Sequence, residues 1–83
     1  MQHELKISPE YFDAVYSGVK PFEVRRNDRP FKVGDSLLLK EYDAKSYLPY
    51  TGRETVKVIT YILDNEYCLD GYVILGLRCT DNR

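Results

Sequence analysis

A chain of 83 residues with a formal charge of −1, 43% hydrophobic and 30% charged residues, can build one core and is too apolar to stay disordered. A second domain within 1–83 is excluded, and no apolar run approaches the roughly 20 residues of a membrane helix. The opening Met1-Gln2-His3-Glu4 lacks the basic start and greasy stretch of a signal peptide, so a cytoplasmic location away from membranes is expected.

His3, Leu5 and Ile7 alternate with Glu4 and Lys6, which predicts a strand with one buried face. The period then changes. Ser8-Pro9-Glu10 is a helix start, with a hydroxyl that can cap, a proline that fits the first turn and a carboxylate suited to the positive helix end. Tyr11, Phe12, Val15 and Tyr16 fall at one-face helical spacing, and Gly18 supplies a left-handed stop, so a helix is predicted from Pro9 to Ser17. A helix this short persists only by packing its aromatic stripe on a sheet.

From Lys20 to Asn27 the alternation places Phe22 and Val24 on the buried face of a second strand, with Glu23 and Arg25 on the other. Asn27 to Pro30 is turn-forming, and Gly34-Asp35 leads into a third strand, Ser36 to Asp43, with Leu37 and Leu39 on one side and Leu38, Lys40 and Tyr42 on the other. Ala44 to Arg53, with Pro49 and Gly52, reads as a loop of about ten residues and hence a candidate binding element. Thr55 to Leu63 is the clearest strand, and Asp64 to Asp70 an acidic connection. The last strand sets Val73, Leu75 and Leu77 against Tyr72, Ile74 and Arg78, and Gly76 marks a bulge or close approach.

The order β-α-β-β-β-β predicts a mainly β (α+β) domain: a small, largely antiparallel five-stranded β-barrel with one short helix after the first strand, since closure hides sheet edges. The expected core comprises Leu5, Ile7, Phe12, Val15, Phe22, Val24, Leu37, Leu39, Val58 and Leu75. Cys68 and Cys79 fit no zinc or Cys-x-x-Cys spacing and His3 adds too little, so free thiols are expected, with no metal and no cofactor. The pattern puts Cys79 in the core and Cys68 in a loop.

Charge is unevenly spread. Lys20 to Lys32 carries an excess of three positive charges, from Lys20, Arg25, Arg26, Arg29 and Lys32 against Glu23 and Asp28. Glu54 to Asp70 carries an excess of three negative ones, Glu66 among them. One face is thus suited to phosphates while another repels them. Eight tyrosines exceed what packing a short chain needs, and Tyr42, Tyr47 and Tyr50 fall in or beside the long loop, where exposed rings can stack on unpaired bases. His3 and Glu41 have core-facing parity at strand ends, which suits the rim of a barrel.

Gly18-Val19-Lys20-Pro21-Phe22-Glu23-Val24-Arg25 carries Gly-x-Lys-x-x-Glu-x-Arg across the predicted helix end and next strand. In that motif, and in Gly34-Asp35 before an apolar strand, the chain resembles the ASCH domains of the PUA-like superfamily over essentially its whole length. His3 to Ile7, Arg25 to Arg29 and Tyr50-Thr51-Gly52-Arg53 look like a compact bacterial and phage-type subgroup of unsettled function. The resemblance implies a PUA-like barrel and RNA or a nucleotide as partner, and leaves the oligomeric state open. Together with the charge pattern it nominates Lys20, Glu23, Arg25, Arg26, Arg29, Tyr42, Tyr50 and Arg53 as binding residues, Glu23 steadying the planar fork of Arg25.

Other ASCH-like domains resemble small hydrolases acting on a modified nucleoside or on RNA. The amidohydrolase branch places a threonine where this chain has Glu23, which removes that nucleophile and assigns no catalytic residue. Lys20 and Glu23 still form a conceivable acid/base pair for a phosphodiester, so a small hydrolase is the competing expectation.

Overall fold

A computed structural model describes residues 1–65 and 67–80 of the chain. Glu66, counted above in the acidic connection, lies outside the described residues. The elements are β1 (Gln2–Ile7), α1 (Pro9–Ser17), β2 (Phe22–Arg26), β3 (Ser36–Tyr42), β4 (Tyr50–Leu63) and β5 (Tyr72–Cys79). They form one five-stranded sheet in the order β1-β3-β4-β5-β2, with β1 parallel to β3 and the other neighbours antiparallel. The domain is mainly β: a curled half-barrel with one short helix after its first strand.

The expected closure is made differently from a full barrel. β1 and β2 are the sheet's two edges, with no ladder between them. Instead the Arg25 side chain reaches across the gap and its Nη2 donates to the Lys6 carbonyl. A side chain here satisfies an edge group that a sixth strand would otherwise pair.

The core gathers Leu5, Ile7, Leu37, Leu39, Ile59, Val73, Leu75 and Leu77 under Phe12 and Val15 of α1. Helix start and stop fall where the sequence places them, and Gly18 adopts φ 88° to end the turn. The cap is not the Ser8 hydroxyl, which is buried without a partner; the Ser8 carbonyl accepts the Tyr11 and Phe12 amides, each at 3.1 Å.

Three residues expected in the core are not there. Phe22 and Val24 are 40% and 46% exposed, and Val58 is only half-buried. β2 does alternate, but in the opposite sense: Glu23 lies opposite Leu75 and Arg25 opposite Val73, and residues directly opposite in an antiparallel pair share a face. The inward face of this edge strand is therefore its charged one. In β4, Lys57 lies opposite Leu37 and Cys79, so Lys57 and Ile59 point in and Val58 does not.

A register shift between Ile59 and Tyr61 faces Gly76, where an added Cβ would sit 3.2 Å from Thr60 Oγ1, so Gly76 marks the close approach its position suggests. The ten-residue loop is shorter than expected. Tyr50 pairs with Tyr42 across a second register shift, and Gly52, at φ 93°, lets the strand begin irregularly, so Tyr50 to Arg53 are strand. Cys79 is exposed rather than core, although its parity is inward, because it is the last residue of β5. Cys68 is half-buried with its thiol donating to the Leu63 carbonyl at 2.9 Å, and both cysteines are free. Among the described residues no helix is long and apolar enough to cross a membrane.

Candidate functional site

The reversal of β2 puts Glu23 on the inner face at 5% exposure. A carboxylate that buried demands partners. Arg25, two residues on and so on the same face, supplies them: its Nε lies 2.9 Å and its Nη2 2.7 Å from Glu23 Oε2. The other oxygen, Oε1, accepts no hydrogen bond, its nearest cation being the Lys20 ammonium at 3.7 Å. Lys20 in turn stands over the Tyr11 ring at 4.3 Å. Glu23 therefore fixes the direction of Arg25, whose far end is pinned to the β1 edge at the Lys6 carbonyl.

Arg25 faces a cavity of about 280 Å³ in the gap between the two sheet edges. Lys6 from β1, Lys40 from β3 and Arg29 from the connection after β2 also line it, with Tyr50 of β4 as an aromatic wall. Glu4 is the one carboxylate there among the described residues, and it pairs with Lys40 at 3.3 Å. The aromatic surface continues beyond it. Tyr42 meets Tyr50 edge-on at 4.9 Å, and the Lys6 ammonium lies 4.3 Å from the Tyr42 centroid. The result is a cationic hollow rimmed by tyrosine rings, chemistry suited to a phosphate with an attached base. The acidic counterpart lies elsewhere: Asp64 and Asp70 line a separate hollow with Asn27 and Asn65.

The structure brings together Arg25, Arg29 and Tyr50 of the nominated residues, with Tyr42 alongside. Of the other four, Glu23 stands behind Arg25, and Arg26, Lys20 and Arg53 lie apart from this hollow. Arg26 points to the outer face, its guanidinium 5.4 Å from the Tyr72 centroid. Lys20 reaches Glu23 but lines a different cavity, below the end of α1. Arg53 is engaged internally: its Nε and Nη2 donate to the two oxygens of Glu41 at 2.9 and 3.0 Å, and its Nη1 to Asp13 at 2.9 Å.

Glu41 is 4% exposed and also accepts the Thr51 hydroxyl at 2.6 Å. These donors, Arg53 first and Thr51 next, hold its carboxyl below the ordinary carboxylate range, and Glu41 with Asp13 raises Arg53 above its own ordinary value. At the other end of the sheet His3 Nε2 lies 2.8 Å from Asp35 Oδ2, and the Met1 amine lies 3.2 Å from Oδ1. The His3 contact leads the causes that lower the Asp35 carboxyl. His3 and Glu41 do sit at strand ends facing inward, but at separate, internally satisfied clusters.

Sequence reasoning missed Lys6 and Lys40. Each lies on the polar side of its alternating strand, and they become neighbours because β1 and β3 run parallel in the register Lys6 to Lys40. The signal for polarity was in the pattern, whereas strand adjacency was not.

A family model described as "Domain of unknown function (DUF3850)" matches residues 2–77. The chain is also similar to a protein of Escherichia phage P2, described as "Uncharacterized 12.9 kDa protein in GpA 3'region", with 38% identity over 73 residues. The match covers 88% of this chain and 64% of the phage protein, so the chain spans less than two thirds of that relative's length.

Proposed function

The chain belongs to the DUF3850 family, whose description assigns no activity, and from that premise we propose that it is an RNA- or nucleotide-binding module whose ligand lies in the hollow between β1 and β2. One observation carries the reading. Lys6, Arg25, Arg29 and Lys40 converge from separate segments on one hollow walled by Tyr50, against a single carboxylate that is already paired. Phosphates take the cations, with Arg25 presented as a fixed fork by Glu23, and an unpaired base stacks on Tyr50 or Tyr42. The resemblance of Gly18 to Arg25 to the ASCH motif supports the same class of ligand, and a cytoplasmic setting fits it.

The test is titration of a labelled single-stranded oligoribonucleotide, and separately of a nucleoside triphosphate, against wild type, Arg25→Ala and Arg29→Ala. Both variants are expected to bind about tenfold or more weakly. Wild-type affinity in both variants would overturn the placement of the ligand.

The hydrolase reading has one observation in its favour: Glu23 Oε1 is buried and accepts no hydrogen bond, with the Lys20 ammonium 3.7 Å away. A carboxylate beside an ammonium is the pairing that general acid/base chemistry uses, and this oxygen would have to be uncovered before a ligand could reach it. Product analysis after incubation with the same RNA separates the two. A binding module leaves the strand intact, whereas turnover by wild type that vanishes in Glu23→Gln establishes the enzyme.

A further inference from the structure

Lys57 is a buried cation with no ion-pair partner among the described residues. It lies on the inner face of β4 and is 4% exposed. Its ammonium has three N–H donors but only two neutral contacts, the Tyr16 carbonyl at 3.4 Å and Cys79 Sγ at 3.5 Å. The Tyr16 carbonyl belongs to the last turn of α1, where carbonyls lose their intrahelical partners, and it offsets the charge only in part. No carboxylate among the described residues lies within ion-pair distance of Lys57. A buried ammonium left so is costly unless an anion joins it.

Space for that anion exists beside it. Lys57 lines a cavity of about 220 Å³ with Lys20 and Arg78, and no carboxylate among the described residues lines it. Arg78 is exposed and uses one amino group on the Cys79 carbonyl at 2.9 Å, which leaves the rest of its guanidinium free of described partners. Gly18 forms part of the wall, where a Cβ would meet nothing within 4 Å, so the approach past the helix end is open. Three cationic residues from the α1–β2 connection, β4 and β5 thus line one small hollow with no described carboxylate in its lining, Lys20 being shared with Glu23 at 3.7 Å.

We propose that this cavity is a second binding site, for a phosphate-type oxyanion, with Lys57 as its buried contact and Arg78 and Lys20 toward solvent. It is separate from the tyrosine-rimmed hollow and does not depend on it. Free inorganic phosphate and the terminal phosphate of a nucleic acid strand share the required chemistry.

The experiment uses the full chain and inorganic phosphate at constant ionic strength, with chloride as the control. Wild type is expected to melt roughly 8 °C higher at a phosphate concentration ten times Kd. In Lys57→Met the rise is expected to disappear while the chloride melting temperature stays at or above wild type, because an uncompensated charge has been replaced by an apolar chain of similar length. Arg78→Gln, at an exposed position, is expected to weaken phosphate about tenfold by calorimetry, and it carries the test should Lys57→Met fail to fold. Lys45→Ala, which removes an exposed cation that lines neither hollow, is expected to respond as wild type, so that a loss in the other variants is not a general effect of charge. A phosphate response absent from wild type, or retained in full by Lys57→Met or Arg78→Gln, overturns the proposal. Paired oligonucleotides identify the source: a preference for a 5′-phosphorylated over a 5′-hydroxyl strand that is lost in Arg78→Gln assigns a strand terminus, and equal binding of the two with the phosphate response intact assigns the free ion.

Discussion

Two buried glutamates each hold an arginine in this domain, and the two pairs differ in what they leave over. Around Glu41 the circuit is closed: Arg53 takes both carboxylate oxygens, Thr51 adds a third donor, and the remaining arginine amino group ends on Asp13 of α1. The Arg53 guanidinium also lies 4.5 Å from the Phe12 ring, so the pair ties helix to sheet. Around Glu23 the circuit is open. One oxygen holds Arg25, the other accepts nothing from the described residues, and Arg25 fronts an open hollow on its way to the Lys6 carbonyl. The same two residue types give a structural tie where every group is satisfied and a candidate site where groups are left facing a cavity.

The largest expected effect tests the closed pair. Glu41→Gln removes the charge that Arg53 and Thr51 are arranged around, and should lower the melting temperature more than Glu23→Gln does, while leaving oligoribonucleotide affinity within about twofold. If Glu23→Gln proves the more damaging to the fold, the contrast between the two pairs is wrong.

Acid sharpens the same contrast. Because the Glu41 carboxyl is held below its ordinary range, the unfolded chain binds its proton more readily than the folded one. The stability it contributes is present above the ordinary carboxylate range and is lost as pH falls through the lowered folded value. Asp35, held down by His3 and the amino terminus, acts in the same direction. Wild type should therefore lose melting temperature below roughly pH 4, and its advantage over Glu41→Gln should be greatest near neutrality and shrink on acidification. An advantage that grows toward low pH would mean that Glu41 is not held ionised by its partners.

The next effect concerns the open pair. Binding that draws on a local cluster, in a chain of net charge −1, must weaken with salt. With about three phosphates contacted by a single strand, log affinity should fall against log salt with a slope near −2, and by about 0.7 less in Lys40→Ala if that lysine meets one phosphate. A slope near zero would remove the phosphate contacts from the hollow.

Legibility followed the same division. The helix from Pro9 to Ser17, the left-handed Gly18, and the core residues of β1, β3 and β5 were readable because each inward face carries a regular apolar series, such as Leu5 and Ile7, Leu37 and Leu39, or Val73, Leu75 and Leu77. β2 was not, because both of its faces offer a plausible interior: Phe22 and Val24 are apolar, while Glu23 and Arg25 satisfy each other. Only the pairing with Leu75 and Val73 decides between them, and pairing is a non-local fact. The hollow suffered likewise. Arg25, Arg29 and Tyr50 could be nominated from local charge and composition, but Lys6 and Lys40 needed the parallel register of β1 and β3. That the donors of Arg53 are taken up by Glu41 and Asp13 is likewise something a sequence does not reveal.

The smallest expected effect tests the reversal of β2, on which the open pair depends. Val24→Thr keeps shape and strand preference and adds one hydroxyl, so its cost reports where that hydroxyl goes. Val24 is 46% exposed on the outer face, where water satisfies the hydroxyl, and the change should stay within about 0.5 kcal/mol. Val73 supplies the reference, since it lies opposite Arg25 on the inner face at 1% exposure. There the same substitution buries a hydroxyl among apolar groups and should cost about 1–3 kcal/mol. Urea unfolding of both variants gives the two numbers under one set of conditions. Equal and large costs would put Val24 in the core and turn Glu23 and Arg25 outward, where no buried carboxylate remains to aim the arginine into the hollow.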